Sequence, residues 1–330
     1  MKRGVSAVVA LVLTIAALPP LAARAIGGRP PDPGPKLAAL APVAALLAVT
    51  AVIVAATSTW WLALLLAPPA ATLVTWQLPP PRRIGHRITA GPRPGPDPRQ
   101  GMLTLRVLTL NVQGGSADLV AVLRSLQRHR VDVLAVQELT PAMAGRLADA
   151  GLADLLPFCH LDPRPGSPGV GLWARWPLIP LPPVPGLVAA APRARIDPAG
   201  GWPLTLTVVH PVAPLKGHDH RWQRESALVR SALAEVGGPQ VVAGDFNASR
   251  DHRLFRDLLA AGFLDCADAA RSRPWPGFTW PAGRGIPPVM RLDHVLVSQA
   301  GATVPEARII RVPGTDHRGV LAVIELQPVG

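Results

Sequence analysis

Early in the chain apolar residues come in long unbroken runs, while further along they alternate or recur at helical spacing, so two physical regimes share one sequence. Val5 to Leu18 is apolar almost throughout; it follows Lys2-Arg3 and precedes Pro19-Pro20 and the small-residue stretch Ala23-Arg24-Ala25. Over residues 5–25 this reads either as a signal peptide or as a first membrane span. Between Lys36 and Arg82 no residue is charged. That run holds two helices of about 20 residues, the length a bilayer core requires, and predicts spans at 37–56 and 60–78. Thr57-Ser58-Thr59 is a polar break between them, and Trp60, Trp61 and Trp76 are rings of the kind that settle at interfaces. Soluble helices seldom run that far without a charge to mark a solvated face.

Residues 79–101 are rich in Pro, Gly and Arg without periodicity and read as an extended linker. From Leu103 the pattern changes. "LTLRVLTLNV" predicts a strand, "SADLVAVLRSLQRHR" an amphipathic helix and "VDVLAVQEL" a second strand, a β-α-β opening. "PAMAGRLADAG" follows as a helix, then "GVGLWARWPL" and "PLTLTVVH" as strands and "HRWQRESALVRSALAEVG" as a helix. "QVVAGDFN" is a strand, "HRLFRDLLAAG" a helix, and "RLDHVLVS" and "GVLAVIELQ" are closing strands. Strands outnumber helices and several are adjacent in sequence, so the α/β domain 102–330 is expected to mix parallel and antiparallel pairing.

Charge changes this picture less than its size suggests. Of the formal net charge of +12, residues 1–100 supply eight, with ten Lys/Arg against two Asp/Glu, which leaves the domain only mildly basic. Arginines beside a membrane attract anionic head groups as readily as phosphodiester backbones, so charge alone selects no polymer partner. Lys2-Arg3 favours a cytoplasmic start, and three crossings, or a cleaved signal and two, put the domain outside the cell. The expected location is therefore the cell membrane, multi-pass, with an extracytoplasmic domain. Cys159 and Cys266 permit one disulfide without requiring it.

Polar residues able to hold metal or phosphate stand where the apolar strands stop: Asn111, Glu138, His210, Asp245 with Asn247, Asp293, and Asp316-His317. In a continued strand Asp245 and Asn247 project to one face and Phe246 to the other, although Gly-Asp and Asn-Ala-Ser are also turn chemistry. Each residue alone has a dull reading as a cap or turn; their conjunction points to a site at the strand ends, where loops converge. Sulfur ligation is excluded by the cysteine count. Magnesium, or manganese in its place, takes oxygen ligands from one or two carboxylates and leaves positions for water and substrate phosphate, and Glu138 with Asn111 can supply so sparse a set. Asp245 and Asn247 can orient a water and a phosphate oxygen, while Asp293 can hold the tautomer of His317 and leave Asp316 to approach the metal.

"LNVQGG", "VDVLAVQEL", "GVGLWARWPL", "VVAGDFNAS", "FTWP", "RLDHVLVS" and "GTDHRGVLAVIEL", in this order, resemble the endonuclease/exonuclease/phosphatase superfamily. Its metal-dependent members include deoxyribonuclease I, abasic-site endonucleases, neutral sphingomyelinases and inositol-polyphosphate phosphatases. The resemblance implies a four-layer α/β sandwich, two packed mixed sheets with helices outside; the apolar runs before it add two or three expected transmembrane helices. The resemblance also implies Glu138, with Asn111, as the main metal contact, Asp245 and Asn247 as the pair positioning nucleophile and phosphate, and His210 on the phosphate from the opposite side. Asp293, Asp316 and His317 match the closing Asp and Asp-His. Gln113 stands where several nucleases carry Asp, Thr315 replaces the usual Ser, and no carboxylate partner for His210 is evident.

"GHDH" at 217–220 fits no full zinc set and reads as a solvated helix start. "PGSPG" at 165–169 lacks the glycine two before its serine that a nucleophile elbow needs. Trp275 and Trp280 could stack a base or a lipid chain but are expected in core or rim packing. The expectation is a membrane-anchored, divalent-metal-dependent phosphodiesterase whose substrate is nucleic acid or a phospholipid head group, with membrane lipids contacting its spans. Its rivals are a sphingomyelinase- or inositol-phosphatase-like lipid phosphoesterase and a sandwich that has lost catalysis and only binds; the near-complete polar set speaks against the last.

Overall fold

The computed structural model describes residues 2–28, 33–57, 59–78, 102–198, 202–215, 217–283, 285–298 and 302–326. The stretch expected as a linker, 79–101, lies outside the described residues. Four helices come first: α1 (Lys2–Ala25), α2 (Gly34–Ala39), α3 (Ala41–Ala56) and α4 (Trp60–Gln77). The domain opens with β1 (Leu103–Asn111), α5 (Leu119–His129), β2 (Val133–Gln137), α6 (Pro141–Asp149) and α7 (Leu152–Leu155). Next come β3 (Phe158–Asp162), β4 (Val170–Ala174), β5 (Ile179–Leu181), β6 (Arg193–Ile196), β7 (Leu204–Val209) and α8 (Asp219–Ala234). It closes with β8 (Gln240–Asp245), α9 (Arg253–Ala260), β9 (Phe263–Asp265), α10 (Cys266–Ala269), β10 (Asp293–Ser298), β11 (Ala302–Ile310) and β12 (Gly319–Leu326).

The strands form two six-stranded sheets, β11-β12-β1-β2-β4-β3 and β5-β6-β7-β8-β10-β9. The crossovers through α5 and α8 make β1–β2 and β7–β8 parallel, and neighbours joined by shorter connections are antiparallel. This is the mixed four-layer sandwich that the sequence led us to expect. Leu105 and Val107 of β1, Val133 and Ala135 of β2, Leu206 and Val208 of β7 and Val241 and Ala243 of β8 fill the space between the sheets. The opposite faces carry Leu108 and Leu110, packed with Val122 and Leu126 of α5, and Val209 and Val242, packed with Trp222 of α8 and Phe255 of α9. Helix α5 starts where the Asp118 side chain accepts from Ala121 N and ends at Arg130 in the left-handed region.

The strands that the hydrophobic pattern did not reveal include all four sheet edges, β3, β5, β9 and β11. An edge strand has a neighbour on one side only, so its apolar repeat is weak. Pro180 lies in β5, and Pro305 falls at a register shift in β11, both places where a missing donor is tolerated. Gly244 answers part of the question that the run Val241 to Asp245 raises. A Cβ there would lie 2.0 Å from Val209 O, so only glycine lets β8 lie this close to β7.

The N-terminal helices reverse the usual distribution of side-chain size. Ala17, Ala44, Ala48, Ala70 and Leu73 form one buried cluster and Ala10, Ala55 and Ala63 another, while Leu46, Ile53, Leu64 and Leu65 point outward. Among the described residues only α1 is long and apolar enough to cross a membrane by itself, over Gly4–Ala25. The expected second and third spans are shorter or interrupted: α3 has 16 residues, and α4 carries Pro68 and Pro69. Cys159 is exposed and Cys266 buried, and both are free thiols.

A buried ionic cluster fixes the strand next to the polar strand ends. Arg291 donates to Asp265 at 3.1 Å and to Asp268 at 2.6 Å, and His294 Nδ1 lies 2.8 Å from Asp265 Oδ2. Burial disfavours charge on Asp265, but Arg291 and His294 outweigh it and hold the carboxyl well below its usual range. A depressed carboxylate pKa contributes stability that is complete above the unfolded value and is lost as pH falls through the folded one. Asp265→Asn is therefore expected to cost about 3–5 kcal/mol near neutral pH and to flatten the acid limb of stability, as read by urea denaturation across pH.

Candidate active site

The polar residues continue the inner faces of their strands. In β1, Leu105 and Val107 face the inter-sheet core, and the same parity leads through Thr109 to Asn111; in β2, Val133 and Ala135 lead to Gln137. Thr109 donates to Gln137 Oε1 at 3.1 Å, where the core gives way to polar groups. On the second sheet Val208 leads to His210, Ala243 to Asp245, and Val295 back to Asp293. Asp245 and Asp293 are register partners, and Gly244 pairs with Val209, the residue before His210. A row from each sheet thus meets at one end of the sandwich.

Asn111 joins the rows. Its Nδ2 donates to Glu138 Oε1 and to Asp245 Oδ2, both at 3.1 Å, and its Oδ1 accepts from Gln113 N at 2.9 Å. Glu138 falls on the outward parity of β2, yet its carboxylate reaches this inward group, with its backbone in the left-handed region at φ 57°. Gln113 and Asn247 share that conformation at φ 47° each. Of the four described non-glycine residues with positive φ, these three stand at the site and Arg130 caps α5. Such backbone costs of order 1–3 kcal/mol per residue and persists where surrounding contacts impose it.

The structure corrects the expectation that Asp245 and Asn247 share a strand face. Strand β8 ends at Asp245, and Asn247 N donates to Asp245 Oδ1 at 2.8 Å, an Asx turn. The turn still serves the site, because Asn247 Nδ2 donates to Pro211 O beside His210 and Trp222 Nε1 donates to Asn247 O. The candidate pair and the turn are here the same residues.

His317 Nδ1 lies 2.9 Å from Asp293 Oδ2, and its Nε2 lies 3.7 Å from Asp245 Oδ2. From the other side His210 Nε2 lies 3.8 Å from the same Asp245 oxygen. Burial disfavours an imidazolium, but Asp293 and Asp245 outweigh it and push His317 up to about 10. The separations of 3.7 and 3.8 Å are too long for direct hydrogen bonds and suit an oxygen atom shared between each imidazole and the carboxylate. His210 Nδ1 is buried and has no hydrogen-bond partner among the described residues, in keeping with the lack of an evident carboxylate for it.

Asp316 sits beside this group through its backbone and side chain. Its N–H donates to Gln113 Oε1 at 2.7 Å, and its Oδ2 accepts from Trp280 Nε1 at 3.4 Å. Gln113, read in the sequence only as a departure, thus ties the last loop to the first strand. Thr315 Oγ1 donates to Asn111 O at 2.8 Å and accepts from His317 N at 3.1 Å. Thr279 Oγ1 accepts from Leu292 N and Asp293 N and was missed; its signal lay in the "FTWP" segment. Asp245, Asp293 and His317 bring potential ligand atoms within 4.8 Å of one another. Asp293 Oδ2, however, is already joined to the imidazole of His317, while Asp245 lies 3.7 Å from that ring without a direct hydrogen bond. The Glu138 carboxylate beside them offers oxygen donors of the kind that hard divalent cations take.

Residues 108–317 match the sequence profile of the Endonuclease/Exonuclease/phosphatase family. The chain belongs to that family. As such it is a hydrolase acting on phosphodiester bonds, in a family whose enzymes depend on divalent metals. A comparison with curated proteins gives no match. Among solved structures, D. rerio TDP2 complexed with a single-strand DNA product is similar at 18% identity, covering 67% of this chain and 98% of that one, with a TM-score of 0.53. A family protein from Bacteroides thetaiotaomicron is similar at 15% identity over 68% of this chain and 99% of its own, with a TM-score of 0.56. The 3' phosphatase NExo from Neisseria, bound to a product DNA hairpin, shares 20% identity over 66% of this chain and 98% of its own, with a TM-score of 0.50.

The Thr315 hydroxyl gives a sharp local test. Thr315→Val leaves two backbone groups without their partner and is expected to cost about 1–3 kcal/mol in urea denaturation and to lower turnover. Thr315→Ser, which keeps the hydroxyl, is expected to retain most of both.

Proposed function

We propose that this chain is a membrane-anchored phosphodiesterase that uses magnesium, or manganese in its place, to direct water in line at phosphorus. The observation that carries the reading is the convergence of Asn111, Glu138, His210, Asp245, Asp293 and His317 from two sheets around gaps of 3.7 and 3.8 Å that suit reacting oxygens. Glu138 is the principal metal ligand, with Asp316 as the second carboxylate. Asn111 orients Glu138 as a donor and keeps one lone pair of an oxygen that already accepts from Gln113. When bound, the cation polarises a phosphoryl oxygen and offsets the charge that grows in the transition state. Asp245 orients the attacking water and accepts its proton as the new P–O bond forms and the bond to the leaving group breaks. Protonated His317, held by Asp293, donates to a phosphoryl oxygen; Asn247 and His210 hold the others.

A phosphodiester substrate is supported by the family and by the similar structures that hold DNA products. Membrane anchoring is supported by the inverted bundle. Small residues pack inside and large apolar ones face outward, the arrangement that suits a lipid solvent. Helix α1 packs in that bundle and carries Arg24 in its last turn, whose Nε lies 2.8 Å from Asp251 Oδ1, which favours a retained span over a cleaved signal. The resulting divisions are a helical region 1–78, a linker 79–101 and a catalytic domain 102–330. With α1, α3 and α4 as three crossings and Lys2-Arg3 inside, the catalytic domain faces outward.

Turnover of bis-nitrophenyl phosphate is expected to disappear with EDTA and to return with magnesium or manganese. Glu138→Ala and His317→Ala are each expected to lower it by roughly 100- to 10,000-fold, and undiminished turnover in both removes the assignment. The full chain is expected to stay in the membrane pellet through alkaline carbonate extraction; release into the supernatant removes the anchoring.

A further inference from the structure

The helical region is built into the catalytic domain directly after Asp245 and Asn247. Arg24 pairs with Asp251, Gln77 Nε2 donates to the same carboxylate at 3.2 Å, and His252 Nε2 lies 2.8 Å from Pro35 O. Arg253 N donates to Gly27 O at 2.9 Å, and the Arg24 guanidinium lies 4.7 Å from the ring centroid of Trp76. The ends of α1, α3 and α4 that meet the domain therefore mark the level at which the bundle would leave a bilayer.

At that level a cavity of about 400 Å³ lies between bundle and domain, within the ~300–1,000 Å³ of ordinary ligand pockets. Ala45, Leu46 and Val49 of α3 and Val74 of α4 form one wall, and Trp275, Pro276 and Phe278 form another. Leu46 is 67% exposed and Leu78 48%, so the apolar wall is continuous with the outward surface of the bundle and opens sideways toward acyl chains. Trp275 is 64% exposed at the same junction, the position an interfacial tryptophan takes.

The domain side of the cavity is cationic. Arg291 is committed to Asp265 and Asp268, and Asp251 is answered by Arg24. Arg250 Nη1 lies 3.7 Å from Asp268 Oδ2, which Arg291 already engages through its other oxygen. Arg273 donates to the Asp268 carbonyl at 3.1 Å and meets no carboxylate among the described residues. An apolar slot that opens into the bilayer and ends in Arg250 and Arg273 matches a molecule with a hydrocarbon chain and an anionic phosphate.

We infer that this junction cavity is a binding site for one anionic phospholipid, with an acyl chain along Leu46, Val49 and Val74 and its phosphate at Arg250 and Arg273. The inference rests on the membrane reading of the helices and is independent of the chemistry at Glu138 and His317. Residues 249–251 and 290–291 line the cavity and stand two residues along the chain from Asn247 and Asp293, so the lipid site shares its segments with the candidate catalytic residues.

Native mass spectrometry of the full chain in detergent, loaded with dioleoyl phosphatidylglycerol or dioleoyl phosphatidylcholine, tests this. One phosphatidylglycerol is expected to be retained in preference to phosphatidylcholine. Val49→Trp, which fills the slot, is expected to lose both lipids, and Arg273→Glu to weaken phosphatidylglycerol retention by roughly tenfold, the factor for one charge-assisted contact. Arg273 lies on a loop, and an unchanged melting temperature of Arg273→Glu identifies its loss of lipid as local. Equal retention of the two lipids by the wild-type chain, or undiminished phosphatidylglycerol in both variants, overturns the site. Glu138→Ala is expected to retain lipid while losing turnover, so retained lipid without metal-dependent turnover in the wild-type chain would remove the catalytic reading and leave the lipid site standing.

Discussion

The two-residue repeat of a β-strand is the constraint from which the rest follows. Once Leu105, Val107, Val241, Ala243 and Val295 are committed to the space between the sheets, every second residue must face it too. Beyond the apolar layer those positions are Asn111, Asp245 and Asp293. Core packing therefore aims the polar groups at one another, and the buried bond from Asn111 to Asp245 closes the distance between the sheets. A one-residue slip in any of these strands would turn its polar end outward, so the energy that fixes the register of the core also assembles the site.

Where parity would fail, local strain takes over. Glu138 lies on the wrong face of its strand, and the left-handed backbone there accompanies the return of its carboxylate to Asn111. Gln113 and Asn247 bend in the same way, and each is held by hydrogen bonds that a relaxed chain would lose. Strain concentrated at these positions, with Thr315 and Thr279 bracing the loops behind them, gives the site a fixed geometry without a rigid element running through it.

The helical region adds a second constraint, from the solvent it meets. Alanine packing inside and leucine outside would be unstable for a small bundle in water, but it suits a medium in which large apolar groups are already at home. The bundle grips the segment Asp251–Arg253 that follows Asn247, so the bundle and the candidate site share a loop.

The sequence by itself determined the order of the main elements, the sandwich class, the charge-free helices and the roll of polar strand ends, because each is written in local periodicity or in an ordered set of motifs. It did not reveal the edge strands β3, β5, β9 and β11, whose single neighbour leaves little imprint on composition, nor the bracing by Gln113, Thr279 and Trp280. Those roles depend on residues far apart in the chain meeting across the fold, as when Gln113 receives the N–H of Asp316. Only the tertiary structure decided that Asn247 lies in a turn, that Asp245 lies between two imidazoles, and that a cavity lies between bundle and domain. Each is a distance between segments that sequence spacing does not encode, set by how two sheets and a helical bundle pack.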